Sequence, residues 1–139
     1  LVYQFYNLIP VLSVEENMTL PILLDSRKVD QDYLNEITST LNLKDRLTHL
    51  PNQLSGGQQQ RTSIGRALIT RPAIVLADEP TGNLDRKNSD EIVELMKFSN
   101  RKYKQTLILI THDERIALQA DRIIQIEDGV IVRDEVIRK

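Results

Sequence analysis

The stretch "NQLSGGQQQRTSIGRAL" (residues 52–68) decides how the rest of the chain is read. Gly56 and Gly57 stand between Ser55 and Gln58, and the S-x-x-Q spacing is that of a capping box. It predicts a helix from about residue 56 to 70, ending before Pro72, with Ile64, Ala67 and Leu68 as its apolar stripe. The first N–H groups of such a helix are unpaired, and its N-terminus carries about half a positive charge. Glycine there lets a phosphate approach the backbone without meeting a Cβ. The same residues would serve equally well as a plain capped helix start, so the neighbouring sequence has to discriminate.

Upstream, residues 1–5 read as a short strand. Pro10 and Pro21 bound a helix starting near Ser13, where Ser13 and Glu16 have capping-box spacing. Tyr33, Leu34, Ile37 and Leu41 give residues 30–42 helical spacing. Downstream of Pro72 the pattern changes. "AIVLA" (73–77) and "TLILIT" (106–111) are continuous apolar runs of strand length, which predicts strands buried on both faces. Between them a helix at about 87–102 places Ile92, Leu95, Met96 and Ser99 on one side. A short helix covers about 113–119. "RIIQIEDGVIVRDEV" closes the chain as two strands around Asp128-Gly129, a pair suited to a type I′ turn. The class is α/β: a helical first half, then a mostly parallel sheet with flanking helices and a C-terminal hairpin.

Composition sets outer limits. The 139 residues are 40% hydrophobic and 27% charged, as in globular proteins. Eighteen Lys and Arg against 20 Asp and Glu leave a net charge of −2, which gives no electrostatic case for nucleic acid as a partner. The absence of cysteine excludes disulfides and thiolate metal sites and suits the cytoplasm. The longest apolar runs are far below the ~18 residues of a membrane span. The chain opens on Leu1, in what reads as mid-strand, and is expected to be a fragment whose N-terminal part is missing.

"LSGGQQQR" (54–61) followed by "IVLADEPTGNLD" (74–85) resembles the nucleotide-binding subunits of ATP-binding cassette (ABC) transporters, and the resemblance runs the length of the chain. It implies a partial P-loop NTPase fold. Its parts are a Q-loop strand and loop at 1–9, a helical subdomain at 10–71 and the C-terminal part of the ATPase core at 72–139. By this resemblance Leu54, Ser55, Gly56, Gly57 and Gln58 form the signature motif, which closes over the γ-phosphate of ATP held by the opposite subunit of a head-to-tail dimer. Asp78 at the end of the Walker B strand organises Mg²⁺, and Glu79 polarises the attacking water as general base. This division of labour suits phosphoryl transfer, where positioning and charge neutralisation dominate. Asp85 in "GNLD" contacts across the dimer, and it can also simply cap the following helix. His112 in "THD" matches the switch histidine that touches the γ-phosphate. Gln4 matches the Q-loop glutamine, reaching the Mg²⁺ and the water. His49 is assigned no chemistry. One departure is Gly65, where the family usually has a small apolar residue; a mid-helix glycine costs about 1 kcal/mol against alanine and suggests a softer helix.

No G-x-x-x-x-G-K-[ST] motif occurs in the 139 residues. Nor is there an N-terminal antiparallel sheet or an aromatic to stack on adenine. These residues alone are therefore expected to bind ATP poorly and hydrolyse little or none. "QFYNLIPVLSVEEN" (4–17), "LPILL" (20–24) and "DEPTGNLD" (78–85) resemble the branch of lipoprotein-releasing, macrolide-efflux and antimicrobial-peptide-resistance exporters, together with the cell-division ABC ATPase. The expected role is an ATPase subunit at the cytoplasmic face of the membrane, using ATP and Mg²⁺, paired with a second ATPase subunit and a membrane permease. The alternative is a non-catalytic remnant that offers its signature face without turning over ATP.

Overall fold

The computed structural model describes residues 1–3 and 6–138. After β1 (Val2–Tyr3) come α1 (Val14–Leu24) and α2 (Gln31–Thr40), two 3₁₀ turns (Lys44–Arg46 and Pro51–Gln53) and α3 (Gly56–Leu68). There follow β2 (Ile74–Asp78), α4 (Arg86–Lys102), β3 (Thr106–Ile110), the single-turn α5 (Glu114–Ala117) and the strands β4 (Arg122–Glu127) and β5 (Val130–Val136).

The helices start where their caps dictate. Ser13 and Glu16 form the reciprocal box at the head of α1, and Asp30 accepts the N–H groups of Asp32 and Tyr33 at the head of α2. The expectation that Pro21 ends α1 is corrected: the helix runs through it to Leu24. Proline removes one helical N–H. Here Val14, Met18 and Ile22, spaced every four residues and buried, hold both sides of the proline against the core. α1 and α3 pack closely at Gly65, where an added Cβ would lie 2.5 Å from Met18 Cε and 2.9 Å from Leu41 Cδ1. Gly65 is thus a close-packing position for three helices, a reason that helix propensity alone does not supply. Tyr33 closes the cluster by donating its hydroxyl to the Leu68 carbonyl at 3.1 Å.

The strands β1, β2 and β3 form a parallel sheet in that order, with Tyr3 paired to Asp78 and Asp78 to Ile110. All three strands therefore end at one edge, the C-terminal edge where open α/β sheets place their ligands. The expectation that β2 and β3 are buried on both faces does not hold in the described structure. Val75 and Ala77 are buried, but Ile74, Leu76, Ile108 and Ile110 are exposed. A continuous apolar run carries no period that tells which face is covered, and α4, with Ile92 and Met96 in the common core, lies on the covered side. β4 and β5 make a separate antiparallel hairpin, with Asp128 at φ 48° and Gly129 at φ 76°, the two positive values a type I′ turn needs.

Candidate functional site

β2 delivers Asp78 and Glu79 to the C-terminal edge of the sheet. The backbone of Glu79 is at φ 46°, in the left-handed region that non-glycine residues rarely adopt. Its N–H donates to the Ile110 carbonyl at 2.9 Å, and its own carbonyl accepts from Gly82 N–H at 3.0 Å. This kink turns the carboxylate away from the line of the strand and toward the end of β3. There the backbone N–H of His112 donates to Glu79 Oε1 at 3.0 Å, and His112 Nδ1 lies 2.7 Å from the same oxygen. Both contacts fall on one oxygen, which fixes the carboxylate and leaves Oε2 without a partner among the described residues. The imidazole is exposed, and its pKa is raised above 6.5, first by the hydrogen bond to Glu79, then by that residue's charge, with a smaller contribution from Asp113. Asp78 is exposed, and its carboxylate makes no hydrogen bond or ion pair among the described residues.

The head of α3 is the second part of the site. Ser55 Oγ accepts from Gln58 N–H at 3.2 Å, and Gln58 Oε1 accepts from Ser55 N–H at 3.0 Å. The N–H groups of Gly56 and Gly57 are the two that this box leaves unpaired among the described residues. The glycines also have a packing role that the sequence did not reveal. A Cβ on Gly57 would stand 2.8 Å from Asn88 Oδ1, and one on Gly56 would stand 3.1 Å from the Tyr6 hydroxyl and 3.3 Å from Leu84 Cδ2. The absent side chains thus seat the first turn of α3 on the loop after Glu79 and on the start of α4. Asp85 caps α4 by accepting from Asn88 N–H at 2.8 Å, one of the two roles read for it. Arg61 ties α3 to α4 through Glu91 at 2.9 Å.

The structure brings Asp78, Glu79 and His112 to one edge and sets the Ser55–Gln58 turn against the segment that holds Asp85. Gln4 lies outside the described residues. Gln60, Tyr6, Leu84 and Asn88 were not singled out from the sequence; their partners are distant along the chain, and only the type of Gln60, an amide inside a helix, hinted at a role.

A family model described as ABC transporter matches residues 1–82. The chain is 42% identical over 133 residues to a lipoprotein-releasing system ATP-binding protein of Cytophaga hutchinsonii, covering 94% of this chain and 61% of the relative. It is 43% identical over 135 residues to a macrolide export ATP-binding/permease protein of Rhodopseudomonas palustris, covering 96% of this chain and 20% of that one. Among solved structures it resembles a dimeric ATP-binding cassette in a post-hydrolysis state bound to ADP and Pi, with a TM-score of 0.80 and 39% identity over 99% of this chain and 62% of that one. The chain thus spans about three-fifths of the length of that cassette and of the lipoprotein-releasing relative.

Proposed function

Because the chain belongs to the ABC transporter family, in the branch of the lipoprotein-releasing and macrolide-export ATP-binding proteins, we propose that it is the catalytic part of an ATP-hydrolysing subunit. This subunit would power export or extraction through a separate membrane permease, docked at the cytoplasmic face of the membrane. No helix among the described residues is long and apolar enough to cross a membrane.

The observation that carries the reading is Glu79, a carboxylate in strained backbone just after β2, the central strand of the sheet, oriented through one oxygen by His112. Its Oε2, without a partner among the described residues, is the atom to accept a proton from the attacking water. His112 keeps the carboxylate aimed and stands beside the γ-phosphate, which its positive form would attract. The carboxylate of Asp78 is exposed and uncommitted, which fits Mg²⁺, an ion commonly held by one or two carboxylates alongside substrate phosphates and water. Asp78, with Gln4, would hold the ion; when bound it neutralises phosphate charge. The free N–H groups of Gly56 and Gly57, with Ser55, Gln58 and Asp85, face a second ATPase subunit and complete the ATP site of that partner. The dimeric form of the related cassette supports this arrangement.

The test is ATP turnover by the longest open reading frame that contains this chain. Glu79→Gln should keep ATP binding and lower kcat by roughly 10²–10⁴, the usual contribution of a general base. Activity within twofold of wild type would remove Glu79 from that role. Residues 1–139 by themselves carry no G-x-x-x-x-G-K-[ST] loop, and loss of such contacts worth ~4 kcal/mol moves a micromolar Kd to near millimolar. Isothermal titration of this chain with Mg-ATP should therefore show no binding at micromolar nucleotide.

A further inference from the structure

Gln60 lies in the second turn of α3 and is fully buried. Its Nε2 donates to the Tyr3 carbonyl at 2.9 Å and also to the Pro80 carbonyl. Two carbonyl acceptors fix the orientation of the amide, because a flipped oxygen would face both of them. Oε1 is then left buried without a partner among the described residues. The orphaned oxygen is a cost, while the amide N–H groups serve two backbone carbonyls that an apolar side chain would leave without this donor. The glutamine is thus specified by the two backbone points it joins.

The Tyr3 carbonyl belongs to the peptide that joins Tyr3 to Gln4. The Pro80 carbonyl belongs to the peptide immediately after the one that joins Glu79 to Pro80. One and a half turns further along α3, Arg66 donates to the Asn7 carbonyl at 2.8 Å and to the Tyr6 carbonyl at 3.1 Å. One helix thus grips the backbone on both sides of Gln4 and beside Glu79, while its first turn presents Ser55 and the glycines.

We infer that Gln60 is a positioning residue for ATP hydrolysis: its buried amide ties the peptides next to Gln4 and Glu79 to the helix that carries the Ser55–Gln58 turn, so that these groups move as one unit. The inference rests on the ATPase reading above. It makes Gln60 the link by which a partner subunit's contact at the head of α3 reaches the hydrolytic carboxylate.

Two variants in the longest open reading frame test it. Gln60→Met keeps length and volume but loses the donor; Gln60→Glu keeps the shape and sets an acceptor against two carbonyls. Both should lower kcat tenfold or more with the KM for ATP within threefold, and Gln60→Glu should lose more. A kcat within twofold of wild type in the folded Met variant, or an effect confined to KM, overturns the inference. A second measurement does not depend on turnover. Amide hydrogen exchange at Gly82, whose N–H donates to the Glu79 carbonyl, should be at least fivefold faster in either variant, while Ile64 and Leu68 within α3 keep their wild-type rates. Unchanged exchange at Gly82 overturns the inference whatever the activity. Absence of ATP turnover in the wild-type protein overturns the ATPase reading alone.

Discussion

The helices that precede β2 and the strands that follow them treat apolar residues in opposite ways. Across α1, α2 and α3, the side chains of Val14, Met18, Leu34, Ile37, Leu41, Ile64 and Leu68 are all sealed from solvent in one cluster. In β2, β3 and the β4–β5 hairpin, residues of the same types stand open: Ile74, Leu76, Ile108, Ile110, Ile124, Ile126 and Val132. The helices supply most of that cluster, and β1, β2 and α4 join it through Val2, Val75, Ala77, Ile92 and Met96. The sheet is layered on one side only among the described residues, and its chemistry sits at one end of that single layer. The strands of the sheet therefore derive little of their stability from the exposed face. Polar bonds join the two regions as well: Gln60 and Arg66 reach the β1 side, Arg61 reaches Glu91 of α4, and Lys102 of α4 reaches Glu36 of α2.

The sharpest way to break this contrast is to make one substitution in each region. Ile37 is 0% exposed and Ile108 is 48% exposed. Ile37→Ala should destabilise by about 2–5 kcal/mol, the range for truncating a buried Ile to Ala, because the tight helical core collapses only partly. Ile108→Ala should cost under about 1 kcal/mol, mostly from lost strand propensity. Urea denaturation of the purified chain measures both. Equal losses would mean that the face of β3 is covered in solution and that the two regions are built alike.

Gly65 sharpens the contrast from inside the helical core. Alanine there gains about 1 kcal/mol of helix propensity. Its Cβ, however, would fall on Met18 and Leu41, and overpacking costs about 1–3 kcal/mol. Gly65→Ala should therefore destabilise by about 1 kcal/mol, and Met18→Leu in the same chain, which removes the terminal methyl, should recover part of that. A clear stabilisation by Gly65→Ala alone would show that Met18 swings aside freely and that the glycine is only a weak point in the helix.

What could be read from the sequence follows the range of the interactions involved. Capping boxes act over three residues, so the starts of α1 and α3 are visible in the order of residue types. The Asp128-Gly129 turn is equally local. The resemblance to the family is likewise carried by short runs of text, "LSGGQQQR" at 54–61 and "IVLADEPTGNLD" at 74–85. The direct bond from His112 to Glu79 spans 33 residues and needs the β2–β3 register to bring it about. Gln60 reaches back 57 residues to Tyr3, and no periodicity marks such a partner. The faces of β2 and β3 were misjudged because coverage is a property of neighbouring layers, which the strand sequence does not encode. The glycines of the Ser55 turn were read for the room they leave a ligand, while the structure shows them also making room for Asn88 and Leu84 of the same chain. A bulky substitution at Gly57 would disturb that packing as well as any phosphate contact.

The smallest expected effect lies at the catalytic edge and tests whether the Glu79–His112 contact persists in solution. The pKa of His112 is raised above 6.5 first by the Glu79 hydrogen bond and next by the carboxylate's charge. A raised histidine pKa means that the folded protein binds the proton more tightly than the unfolded chain does. The stabilisation from the pair is therefore complete below about pH 6.5 and is lost as pH rises through the elevated value. Because the imidazole is exposed, solvent screens the pair, and the effect on unfolding should be slight. The titration itself is the better observable. NMR of the His112 ring should give a midpoint above 6.5 in the wild-type chain, and Glu79→Gln, which removes the charge, should bring it back down toward that value. A His112 midpoint that Glu79→Gln leaves in place would mean that the two side chains are apart in solution, and the carboxylate would then lack the group that aims it.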